Sequence, residues 1–105
     1  VDSKFLSLKT KELVNSVKKI LGEKISEIAL GSKKIRSGKG KRRGRRYKNS
    51  AGMLLVVGKS EKAKAKIFEV KNTHNLNVND LAQGGLGRLT VYTETAIKEL
   101  GEKLK

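Results

Sequence analysis

The chain has 105 residues with 25 Lys and Arg against 10 Asp and Glu, a formal net charge of +15 at pH 7. It has no Cys and a single His, which excludes disulfides, thiolate zinc sites, a catalytic thiol and any multi-histidine metal site. No apolar run approaches the ~20 residues needed to cross a bilayer, the amino terminus lacks a signal-peptide pattern, and the length suits one small core rather than two. These features predict a single domain over residues 1–105 in a cytosolic compartment. The start at Val1 rather than Met reads as a fragment or a processed product.

In chain order, Thr10 to Leu21 gives the clearest periodicity. Leu13, Val14, Val17, Ile20 and Leu21 fall on one helical stripe, opposite Lys11, Glu12, Lys18 and Lys19. Gly22 stands where a helix stop is wanted. Ile25, Ile28 and Ala29 predict a second, shorter helix from Glu23 to Leu30, closed by Gly31.

The charge of the molecule then concentrates. From Lys33 to Lys48, ten of sixteen residues are cationic: Lys33, Lys34, Arg36, Lys39, Lys41, Arg42, Arg43, Arg45, Arg46 and Lys48. None is acidic. Moving such groups out of water unpaired costs more than a small domain's whole stability, so they face solvent or a polyanion. The remaining residues carry a net charge of only +5, and this concentration marks an electrostatic footprint rather than general solubility. Gly38, Gly40 and Gly44 disfavour a helix by ~1 kcal/mol each relative to Ala and let the main chain approach a phosphate. A long, irregular basic loop over residues 31–50 is predicted, mobile alone and ordered on binding. Tyr47 at its end is a candidate for stacking on a base, the alternative being a ring packed on the strand that follows. For the cations the bland alternatives are a solvated loop or a localisation signal.

Met53 to Val57 is a continuous apolar run between Gly52 and Gly58, short enough to be a strand buried on both faces. Ser60 to Lys64 predicts a brief helical turn with Ser60 as cap, and Lys66 to Lys71 a strand. Asn72 to Asn79 reads as a polar connection containing His74, expected to be a surface or turn residue. Asp80 and Leu81 lead into a glycine-rich turn over Gln83 to Gly87. Arg88 to Tyr92 predicts another strand, with Arg88 a secondary candidate for phosphate contact. Thr93 caps a last helix through Ala96, Ile97, Leu100 and Leu104. This order predicts an α/β layered domain, a small, mostly parallel sheet flanked by helices and carrying the basic loop.

Nucleotide and catalytic signatures fail on spacing. Gly40 stands where a Walker loop needs a hydroxyl residue, and Gly38, Gly40 and Gly44 neither fit the dinucleotide spacing nor follow a strand. His74 and Asp80 lie in a polar connector, and the glutamates are scattered among lysines. The prediction is no enzyme, no cofactor, no metal and no small-molecule substrate, with a nuclease as the enzymatic rival.

The run from Lys34 to Lys48 followed by Leu54-Leu55-Val56-Val57 closely resembles the archaeal and eukaryotic branch of the ribosomal protein L-four family of the large subunit. Leu76 to Gly85, then Gly87 to Ile97, is similar to that family's carboxyl-terminal block. Gln83 departs from the family's usual Pro, and the glycine turn and the segment after Gly58 look shortened. The resemblance covers only the carboxyl-terminal half of the family, so the extension toward the peptide exit tunnel has no counterpart here. It implies a structural, ribonucleoprotein role in translation: an α/β domain on the large subunit's outer face, clamping ribosomal RNA with its basic loop beside neighbouring ribosomal proteins, in the cytoplasm and away from any membrane. It also implies an alternative, a regulator that represses translation of a messenger.

Overall fold

A computed structural model describes residues 1–63, 65–84 and 87–105. A 3-10 turn at Ser3–Ser7 inserts Phe5 into the core before α1 (Thr10–Leu21) begins. The Lys9 amide donates to the Glu12 carboxylate at 3.4 Å, satisfying one orphan donor at the entry to α1. Leu13 and Val17, four residues apart, are the buried pair of this helix, while Ile20 is left 62% exposed. The Gly22 amide closes α1 on the Lys18 carbonyl, and α2 (Glu23–Leu30) follows at once.

The face that α2 buries agrees with the predicted one at Ala29 and departs from it elsewhere. Ser26 and Ala29 point inward, and Ile25 and Ile28 lie exposed. Small side chains allow α2 to approach its neighbours closely, and the Ser26 hydroxyl meets its burial requirement by donating to the Glu23 carbonyl at 2.7 Å.

The basic stretch forms an antiparallel hairpin of β1 (Lys33–Ile35) and β2 (Tyr47–Asn49), where an irregular loop was expected throughout. Then comes β3 (Leu54–Val57), all four residues at most 1% exposed. It is the middle strand of a parallel sheet ordered β4-β3-β5, where β4 is Glu69–Asn72 and β5 is Thr90–Tyr92. Leu55 and Val57 face Phe5, Leu13, Val17, Ala29 and Phe68, whereas Leu54 and Val56 face Ala96. Burial on both faces explains the unbroken apolar run, each side chain contributing ~1.5–3 kcal/mol.

Between β3 and β4 the predicted Ser60 helix is absent among the described residues: the Glu61 amide turns back onto the Gly58 carbonyl, and Lys64 lies outside the description. β4 starts at Glu69, three residues later than predicted, and Phe68 just before it is buried in the core. A five-residue helix, α3 (Val78–Ala82), replaces the end of the expected polar connection, with the Asn77 amide donating to the Asp80 carboxylate at 3.1 Å. Of the predicted glycine turn, Gly85 and Leu86 lie outside the described residues. α4 (Glu94–Lys103) ends the fold, its entry capped by Thr93, whose Oγ1 accepts from the Ala96 amide. Val1 pairs beside β5: its amino group donates to the Tyr92 carbonyl at 2.9 Å and its carbonyl accepts from the Glu94 amide at 3.2 Å.

Candidate nucleic-acid interface

The hairpin register sets Lys34 opposite Lys48 and Ile35 opposite Tyr47. Directly opposed residues share a face, so one face carries the lysine pair and the other carries Ile35, Tyr47 and Lys33. Lysines directly opposite one another repel, and an isolated two-stranded hairpin is at best marginal in water. Local contacts oppose that tendency. The Lys33 Nζ sits 4.2 Å from the Tyr47 ring centroid, a cation–π contact contributing ~0.5–1 kcal/mol at an exposed site. The Arg36 amide donates to the Arg46 carbonyl at 2.7 Å, extending the ladder by one step.

The tip, residues 36–46, is ordered by its own backbone around a 3-10 turn at Lys39–Lys41. The Gly40 carbonyl accepts from the amides of Arg43 (3.2 Å) and Arg45 (3.0 Å). Arg36 folds under this turn: its Nε donates to the Arg45 carbonyl at 3.0 Å, and a Cβ on Gly40 would come within 2.8 Å of its Cδ. Arg36 is therefore partly a support of the tip. Lys33, Lys34, Lys39, Lys41, Arg42, Arg43, Arg45, Arg46 and Lys48 are exposed, and among the described residues none of the ten cations of the stretch is in an ion pair. Tyr47 is 48% exposed on the hairpin and does not pack on β3.

The base of the hairpin is fastened to the domain at several points. The Ser32 amide donates to the Ser50 hydroxyl at 2.9 Å, and the Met53 amide to the Ala29 carbonyl at 2.7 Å. Gly52 adopts φ 68°, and a Cβ there would stand 3.1 Å from the Ala29 carbonyl oxygen, so glycine is needed for both conformation and clearance.

Arg88 completes the fastening, and its predicted role is corrected here. Its side chain is only 2% exposed. The guanidinium donates to the carbonyls of Ala51 (2.7 Å) and Gly52 (3.1 Å), to Glu69 (2.8 Å) and to Gln83 (3.1 Å). Every nitrogen of the fork is engaged within the protein, leaving no surface for a phosphate. Arg88 is a brace linking the hairpin base, β4 and the turn before β5, and it leaves the set of candidate contacts.

Beyond the carboxyl ends of the parallel strands lies a second polar cluster that the sequence did not reveal. Glu99 accepts from the Lys59 amide at 3.1 and 3.0 Å through its two oxygens and from the Thr73 hydroxyl at 2.5 Å. The Thr73 hydroxyl and then the Lys59 amide hold the Glu99 carboxyl below the usual carboxylate range. Partial burial would raise Glu61, but hydrogen bonds from Thr95, the Gly58 amide and Thr93 outweigh it and hold that carboxyl low as well. Both carboxylates tie loops to α4 and β3 and bear no resemblance to a metal cage: among the described residues no three His, Cys, Asp or Glu side chains are grouped to hold a metal ion. His74 is exposed in the turn after β4.

A parallel α/β domain holding out a braced polycationic hairpin defines the class. The particular relationship comes from sequence comparison. A protein of Saccharolobus islandicus named large ribosomal subunit protein uL4 is 49% identical over 78 residues, covering 68% of this chain and 29% of that protein. The uL4 of Thermoplasma volcanium is 45% identical over 102 residues, covering 90% of this chain and 39% of its own length. The uL4 of Methanocaldococcus jannaschii is 39% identical over 116 aligned positions, covering 100% of this chain and 44% of its own length. No protein-family model matches. The chain is a relative of large ribosomal subunit protein uL4 and corresponds to that protein's carboxyl-terminal part. It spans 29–44% of the length of these curated relatives.

Proposed function

We propose that this chain is a structural, noncatalytic component of the large ribosomal subunit that grips ribosomal RNA with its β1–β2 hairpin. The observation that carries the reading is the concentration of ten cations without one carboxylate on a projection braced to the core by Arg88, Gly52 and Ser50. Relatives named as large-subunit proteins supply the context. On this reading the protein works in the cytoplasmic ribosome, beside other ribosomal proteins.

The mechanism is electrostatic. Lysines and arginines neutralise phosphates that repel one another where RNA segments converge, and displaced counterions supply entropy. Planar arginine forks at the tip, Arg42, Arg43, Arg45 and Arg46, bridge phosphate oxygens in pairs. Their backbones, not their side chains, hold the turn, so side-chain changes spare the fold.

Replacing these four arginines together by Glu tests the proposal. The expected outcome is an unchanged far-ultraviolet circular dichroism spectrum with loss of binding to large-subunit ribosomal RNA fragments. A folded variant that still binds as the parent does would refute it. Binding of one messenger leader far above bulk ribosomal RNA would favour a translational regulator instead.

A further inference from the structure

The two faces of the hairpin have different chemistry, and phosphate binding accounts for only one of them. Of the four aromatic residues, Phe5 and Phe68 are in the core, Tyr92 is half-buried, and Tyr47 alone is exposed. Its cross-strand partner Ile35 is 57% exposed. An apolar pair thus stands open to water where the two ends of the most highly charged stretch of the molecule come together.

Resting on the reading that the hairpin grips RNA, we propose that the Tyr47–Ile35 face receives an unpaired nucleobase, so that the preferred target is an RNA helix interrupted by a bulged nucleotide rather than a continuous duplex. The occupant of this face has to satisfy two conditions at once. It must be anionic, because Lys33 lies over the ring at 4.2 Å and the Arg46 guanidinium carbon 5.9 Å from its centroid. It must also present a flat apolar surface within one residue's reach of those cations. A nucleotide with its base out of the helix does both, whereas a paired base keeps its faces inside the stack. Lys33 covers one side of the ring, so a base stacking there displaces its ammonium, which then meets that nucleotide's phosphate, and the opposite face, with Lys34 across from Lys48, remains for the flanking backbone. The alternative is that Tyr47 and Ile35 merely hold the two strands together.

Tyrosine fluorescence and competition binding separate these readings. The ligands are a fully paired RNA hairpin, the same hairpin with one bulged nucleotide, and anionic phosphatidylserine vesicles. The proposal expects about tenfold tighter binding of the bulged RNA, in line with the size of base–aromatic stacking. Tyr47→Leu, which keeps the apolar contact with Ile35, should bring that ratio to about one. Tyr47→Trp should keep the ratio and show indole quenching by the bulged RNA. Equal affinities for the two RNAs in the parent, or a ratio that survives Tyr47→Leu, would overturn the base platform. The phosphate grip would still stand if both RNAs bind with steep salt dependence. Absence of salt-dependent binding to either RNA would overturn both readings, and quenching by vesicles but not RNA would assign the face to a membrane surface.

Discussion

Replacing Arg88 decides whether this cation serves the fold or the ligand. Arg88→Ala removes a guanidinium that is 2% exposed and supplies hydrogen bonds to two backbone carbonyls, a carboxylate and an amide oxygen. Stripping one partner from a buried ion pair costs ~3–5 kcal/mol, but Glu69 is 37% exposed and also approaches Lys71 at 3.5 Å, so solvent and a second cation reduce the loss. The carbonyls of Ala51 and Gly52 each lose a charge-assisted donor, which brings the expected destabilisation to ~2–4 kcal/mol. With a urea dependence of ~1–2 kcal/mol/M for a domain of this size, the unfolding midpoint should drop by ~1–4 M. Arg88→Lys keeps the charge but cannot span acceptors on four residues, so it should recover only part of the loss. Urea unfolding followed by circular dichroism gives the stability, and RNA affinity of the still-folded variant gives the other axis. A stability change below ~0.5 kcal/mol together with a large loss of affinity would show that Arg88 contacts RNA and that the brace is misread.

Acid should act through Glu61 and Glu99. Their carboxyls titrate lower in the folded state than in the unfolded chain, so the unfolded state binds more protons between the two values, and their contribution is full above the ordinary carboxylate range and lost as pH falls through the folded values. Glu61→Gln combined with Glu99→Gln should flatten the acid limb of the stability curve in pH-dependent thermal melts, and an equally steep limb would contradict the assignment. Gly52→Ala, at φ 68° with a carbonyl 3.1 Å from the new carbon, should cost ~1–3 kcal/mol in chemical denaturation. Gly38→Ala, at φ 88° in open space, meets the conformational strain alone and should cost less than Gly52→Ala, and the reverse order would contradict the account of the hairpin base.

What could be read from the sequence followed the strength of local pattern. The run around β3 and the stripe of α1 were legible because burial on two faces, or on one helical face, leaves a signal over several residues. α2 was found, but of its predicted apolar set only Ala29 is buried: the other inward residue is Ser26, which carries no hydrophobic weight against Ile25 and Ile28. α3 is five residues long, too short for a helical period to stand out, and its one local signal, the Asn77 and Asp80 spacing, is lost in a stretch that reads as a polar connection. The hairpin hid behind its charges and glycines, since strands of three residues are too short for an alternation to be counted. The cations of the grip were conspicuous, yet nothing adjacent to Arg88 distinguishes it from the other basic residues. Its acceptors come from 19, 36 and 37 positions away as well as from Gln83 nearby, and only the folded chain brings them together.

The grip itself is tested most directly by the salt dependence of binding to large-subunit ribosomal RNA fragments. If six to ten phosphates are neutralised, log affinity should fall against log salt with a slope of roughly −4 to −9, and the fourfold arginine-to-glutamate variant should lose most of that slope. A slope near zero in the parent, or one that the variant retains, would contradict the hairpin as the seat of binding.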